Sequence, residues 1–176
     1  MSHIGAVKGV RALRVTLDEL ACCPERVERL FECFPQALWH WAPSSWEGIP
    51  SERLTPVEQI CHLRDIEVEG YRVRFDRTLH EETPTLPDLP GEAMALERHY
   101  ARQDPRDALR EFGRARAMNV ETLRRLSPGE FKRIALFEGR PTSLAGLVHF
   151  LASHDYQHLA GLEWLFAKSE QVNGVV

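Results

Sequence analysis

From Thr83 to Gly91 the chain reads Thr-Pro-Thr-Leu-Pro-Asp-Leu-Pro-Gly, with prolines recurring at every third position. Pro84, Pro87 and Pro90 each lack an amide donor and hold φ fixed, so the segment cannot be helical and reads as an extended crossover. Helical patterns lie on both sides of it. A crossover of this length changes the topology open to a helical bundle, and the rest of the chain has to fit around it.

Four helical blocks surround the crossover. Block one opens at Thr16-Leu17-Asp18-Glu19, which has the form of a capping box, and runs through Pro24, at a tolerable first-turn position, to about Phe34 before Pro35. Trp39 to Arg53 holds three of the four tryptophans with Pro43, Gly48 and Pro50. It reads as an irregular connection whose Trp39, Trp41 and Trp46 act as core plugs or as walls of a pocket. Block two starts most clearly, since Thr55-Pro56-Val57-Glu58 combines an N-cap, a proline at the first helical position and the capping-box glutamate; it extends to about Leu79.

After the crossover come a short helix over Ala93 to Arg102, block three from Asp104-Pro105 to Leu126, and a short extended stretch within Phe131 to Phe137. Block four opens near Thr142 and reaches about Lys168, with Leu144, Leu147, Val148, Leu151, Leu162, Leu165 and Phe166 on one apolar stripe. Residues 1–15 read as a loose, flexible arm, 16–168 as the bundle domain and 169–176 as a tail. The expected class is all-α, a four-helix bundle with a long crossover between helices 2 and 3.

A chain of 176 residues, 43% hydrophobic and 27% charged, suits one soluble domain with a real core. No run approaches the ~20 apolar residues of a membrane span. The formal charge, 22 − 26 = −4, supplies no basic field for phosphates, which argues against nucleic acid and for small-molecule partners. Cys22 and Cys23 are adjacent while Cys33 and Cys61 stand alone, a spacing that suits reduced thiols in cytoplasm better than a zinc ribbon or a disulfide framework. No glycine-rich phosphate loop is present.

His154 and His158 are four residues apart on block four, about 40° apart around a helix, close enough for two imidazoles to meet one metal. Leu147, Leu151 and Leu165 share their direction, so both rings face the core, where an unpaired polar group costs about 1–3 kcal/mol. A lone buried histidine is usually a hydrogen-bonded core group; an i,i+4 pair on a core stripe reads as ligands. Two histidines do not complete a site, and block two offers His62, on one face with Glu58, Asp65 and Glu69. Those carboxylates are either orienting partners of the imidazole or a solvated polar face. His3, His40, His80, His99 and His149 lack such company and suit surface or cap roles.

The run Pro56-Val57-Glu58-Gln59-Ile60-Cys61-His62-Leu63-Arg64-Asp65-Ile66-Glu67 and the run Leu147-Val148-His149-Phe150-Leu151-Ala152-Ser153-His154-Asp155-Tyr156-Gln157-His158-Leu159 together resemble the DinB-like superfamily. Its marks are His-Leu-x-Asp on the second helix and His-x-x-x-His on the last, and the resemblance covers about residues 16 to 168. It implies an up-up-down-down bundle, often a homodimer, whose second and fourth helices supply three histidines to a divalent metal. By motif position these are His62, His154 and His158. Relatives include thiol S-transferases using bacillithiol, a mycothiol-dependent maleylpyruvate isomerase and metal-dependent hydrolases.

A three-histidine metal with open positions lowers the pKa of bound water toward ~7 or takes a thiol as thiolate. Zinc, nickel and manganese all accept imidazole ligands, and a low-molecular-weight thiol is a candidate co-substrate. Asp65 is expected to orient His62, and Asp155 to act behind the ligands or between helices. Three other readings compete. His154-Asp155-x-x-His158 resembles the zincin motif, but with a shorter acid and only 18 residues following. Cys61 precedes His62, yet adjacent helical side chains diverge by about 100°. The strongest competitor is a non-catalytic dimeric bundle with a structural metal or none, serving partner binding.

Overall fold

The computed structural model describes residues 3–50 and 52–173, which form six α-helices and one β-hairpin. Helix α1 spans His3–Glu32, α2 Pro56–Asp65, α3 Arg72–His80, α4 Gly91–Glu97, α5 Pro105–Arg124 and α6 Leu144–Asn173. Between α2 and α3 the helix continues as a π segment, Ile66–Tyr71, closed by a bond from the Arg72 amide to the Glu67 carbonyl. Strands β1 (Ile134–Phe137) and β2 (Arg140–Ser143) pair antiparallel through Glu138 and Gly139, both at positive φ, as a two-residue turn of matching twist requires.

Four long units, α1, α2–α3, α5 and α6, make the bundle. Pairings along the helices fix their directions. Asp18 meets Arg124 and Leu20 meets Arg116, so α1 and α5 are antiparallel. Arg64 faces Glu111 and Glu67 faces Arg116, so α2 and α5 are parallel. Gln59 meets His158 and His62 meets His154, so α6 runs against α2 and with α1. The units therefore run up, down, down, up. This differs from the up-up-down-down order that the resemblance implied; the crossover joins two parallel units, which is why it has to return along the bundle's full length. It is held in place by Arg74, donating to the Pro87 carbonyl, and Arg77, donating to that of Thr85. Gly70 admits Leu89 of the crossover, whose Cδ1 lies 3.1 Å from where a Cβ would sit.

Block boundaries shifted where tertiary contacts decide them. Thr16 does not cap a helix: α1 already begins at His3, within the span read as an arm, and the Thr16 hydroxyl donates to Ala12 O one turn back. Pro24 lies inside α1 rather than in its first turn. A mid-helix proline leaves the carbonyl four residues earlier without its amide, and Arg116 Nη1 donates to that Leu20 oxygen at 3.0 Å. At the other end α6 continues to Asn173, into the span read as a tail. Block two kept its start, with the Thr55–Glu58 capping box intact.

The interior is two apolar clusters separated by a polar layer. One gathers Val27, Phe31, Val57, Ile60, Phe112 and Leu162, the other Leu20, Phe75, Leu123, Leu147 and Leu151. Arg116, 1% exposed, sits between them and ties the four units together. Its guanidinium bonds both Asp155 oxygens (2.6 and 3.0 Å) and Glu67 (2.8 Å), while Asn119 donates to the other Glu67 oxygen. Three aromatic residues of the connection pack on the first cluster, Trp39 against Phe31 and Trp46 on Trp164, with Trp41 beside them; they are plugs. Among the described residues no helix is long and apolar enough to cross a membrane.

Candidate metal centre

His62 on α2 and His154 and His158 on α6 lie in the same polar layer as Arg116 and Asp155. The antiparallel pairing of the helices brings them together: His154 Nε2 is 3.1 Å from the Nε2 of both His62 and His158. A fourth group enters from the connection before α2. Glu52 Oε2 lies 3.1 Å from His62 Nε2 and 3.4 Å from His158 Nε2, and the four donor atoms fall within 4.8 Å of one another. Donors around one tetrahedral transition-metal ion stand about 3.3 Å apart at bond lengths near 2.0–2.1 Å.

Proton bookkeeping shows why these residues suit a cation. Gln59 is fixed by its amide, which donates to Leu54 O, so its oxygen faces His158 and accepts from Nδ1–H. Neutral His158 then has only a lone pair at Nε2. His154 Nε2 can give one proton to it, and has none left for His62. Glu52 Oε2, buried at that atom, meets the His62 and His158 Nε2 atoms, while the Nδ1 atoms of His62 and His154, on the far side of each ring, have no hydrogen-bond partner. A shared divalent ion satisfies the inward lone pairs together; protons do not.

Burial keeps the three imidazoles neutral. It lowers the His62 pKa to about 4 and that of His154, where the neighbouring His62 adds to the effect, to about 3; His158 is held well below the ordinary value. Burial, followed by the Glu92 carboxylate, raises Glu52 to about 7 against the opposing bond from the Gly91 amide. In the metal-free protein the unfolded chain takes up histidine protons from about pH 6.5 and the folded chain does not, so the histidines' contribution to stability is full above that pH and lost as pH falls toward 4, offset in part by Glu52, which takes up its proton in the folded chain from about pH 7. For His62 alone the loss is on the order of 3 kcal/mol. Melting of chelator-treated protein between pH 7 and 4.5 should show this fall, reduced in His62→Gln; equal slopes in both proteins would refute it.

The other expected residues went elsewhere. Asp65 does not orient His62: it accepts from Arg64, Arg98 and Tyr100, which together hold its carboxyl low despite burial. Asp155 bonds Arg116 and acts between helices. Glu58 caps Thr55, and Glu69 pairs with Arg98. Cys61 is buried, its thiol pushed up to about 12, which disqualifies it as a nucleophile. The four cysteines are free.

Gln59, Glu52 and Gly91 were not singled out from the sequence. Gln59 had a signal, one turn before His62. Gly91 forms the wall of the site: a Cβ there would overlap Glu52 Oε1 and approach Glu52 Cδ and His62 Cε1 at 2.7 Å each. Replacing Gln59 by leucine keeps the volume but removes the acceptor that sets the His158 tautomer, and is expected to weaken zinc binding about 10–100-fold. Competition with a chromophoric chelator measures it, and a change under about twofold would contradict the assigned role.

A helical bundle with histidines of two antiparallel helices and a loop carboxylate converging on one point defines a candidate metalloprotein of the four-helix class. The chain belongs to the DinB superfamily, whose family model matches residues 19–162. Among solved structures it is similar to YfiT from Bacillus subtilis, described as a probable metal-dependent hydrolase with an unusual four-helix bundle topology. The two share 19% identity at a TM-score of 0.77 over 96% of this chain and 90% of that one. No curated protein matches.

Proposed function

We propose that this chain is a divalent-metal-dependent enzyme that holds its ion with His62, His154 and His158 and acts on a small molecule, as a hydrolase or a thiol S-transferase. The observation that carries the reading is the convergence of three imidazole Nε2 atoms and the Glu52 carboxylate within 4.8 Å of one another. YfiT's description supports the hydrolytic branch. A bound ion supplies a Lewis acid that lets a water or thiol lose its proton near neutral pH. The chain's own residues do the rest. Gln59 fixes the tautomer of His158, and burial of His62 and His158 keeps bulk water from the inner face of the site. The Arg116–Asp155 pair anchors the turn of α6 that carries His154.

Zinc, nickel and manganese suit the donor set, and a low-molecular-weight thiol is the co-substrate of the transferase branch. Free cysteines support a cytoplasmic location, and exposed Val15 and Tyr156, which line one cleft between α1 and α6, support a homodimer. Glu52 favours a second reading, since four protein donors close a site as structural metals require. Elemental analysis of untagged protein, followed by ester, amide and thiol-transfer assays with the metal found, separates the two. Metal with turnover supports the enzyme, and metal without turnover supports the structural bundle. Metal-free protein whose melting ignores added zinc, nickel and manganese overturns the metalloenzyme and leaves the non-catalytic bundle without a metal.

A further inference from the structure

We infer that Glu52 is the exchangeable ligand of this centre, and that the group able to take its place is a monoanion. The inference rests on the metal-centre reading above. Three of the four donors are neutral imidazoles on two packed helices, held by Gln59 and by the bundle. The fourth comes from an irregular connection, and it alone carries charge. Its Oε2 is aimed between His62 and His158 with no other partner, while the side chain retains 22% exposure, so Glu52 stands between the fully buried His62 and His158 and solvent, beside half-buried His154.

Burial sets what can replace it. Two positive charges facing three neutral rings, with the guanidinium groups of Arg74 and Arg116 near enough to act on His154, need a negative ligand in a weakly screening interior. With Glu52 in place the centre has a net charge of one. A monoanion that displaces it leaves that charge unchanged, whereas a neutral ligand would uncover the full charge of the ion. In the exchange Glu52 leaves with its electron pair as the incoming donor brings its own, and nothing is oxidised or reduced.

Gly91 makes the exchange geometrically possible. The carboxylate rests against a backbone position without a side chain, and its seat is lost when one is added. The adjacent Glu92 accepts from the Arg53 amide, tying the start of α4 to the same connection.

Cobalt is the probe, because its visible absorption reports the number and type of ligands. In the cobalt-loaded wild-type protein, azide should change the spectrum at concentrations where neutral imidazole does not. Glu52→Gln should bind cobalt ~10-fold or more weakly and its cobalt form should bind azide ~10-fold more tightly, since no carboxylate competes. Gly91→Ala keeps the carboxylate but removes its seat, and should shift the cobalt spectrum in the same direction; circular dichroism checks that both variants are folded. Wild-type spectrum and affinity in Glu52→Gln, or equal responses to azide and imidazole, overturn the inference while leaving the three-histidine centre standing. A wild-type protein that binds no cobalt overturns both.

Discussion

Arg116→Met is expected to lose about 3–5 kcal/mol of folding stability, the cost typical of leaving a buried charge without its partner. Natural domains hold only about 5–15 kcal/mol, so the variant should be partly unfolded at physiological temperature. Glu67 is 0% exposed and Asp155 3%, and both carboxylates are ion-paired with this one guanidinium, Glu67 also accepting from Asn119. Methionine fills similar volume but neutralises neither acid, and it returns the Leu20 carbonyl, freed by Pro24, to an unpaired state. Urea denaturation at pH 7 gives the number. The deficit should shrink as pH falls and Asp155, whose carboxyl burial already pushes up, takes up a proton, and a loss below about 1 kcal/mol would show that the cluster is not what joins the helices.

His154→Ala should have the largest effect on metal. His154 Nε2 is the atom common to both short imidazole contacts, so its removal breaks the donor set at its centre. Loss of an outer partner typically weakens a site 10–100-fold; loss of this ligand should exceed about 100-fold and leave purified protein with almost no bound metal. His158→Ala should behave alike. A ligand that binds only the folded state raises its melting temperature. Added zinc should therefore raise the melting temperature of the wild type and leave both variants unmoved. Stoichiometric metal in His154→Ala would place the ion elsewhere.

Much of this site was legible because helices are periodic. His154 and His158 fall one turn apart on a stripe of leucines, and the Thr55–Glu58 cap dates the start of the helix that carries His62. Glu52 belongs to a connection with no period, where spacing says nothing about direction. Asp65 shows the limit of the helical rule: it lies near His62 on the helix face, but Tyr100 and Arg98, 35 and 33 residues away, claim its oxygens.

Helix order was likewise out of reach, since an apolar stripe reads the same whichever way its neighbour runs. Pro24 looked like a first-turn residue because the contact that makes it tolerable inside a helix comes from Arg116, 96 residues beyond the carbonyl it rescues. Arg116 itself sits in a run of arginines, Arg110, Arg114 and Arg116, that resembles a solvated face. Nothing local in Ile66–Tyr71 announces a wider turn.

That wider turn puts a phase slip into the second long helix. An α-helix repeats its faces by 100° per residue, and counting forward from His62 holds only as far as Ile66. Beyond Tyr71 the compass is reset, and Arg74 and Arg77 are aimed by the carbonyls of the proline run rather than by the pitch inherited from the histidine. The two halves of one helix thus answer to separate masters, the first to a point in the interior and the second to a strap on the outside.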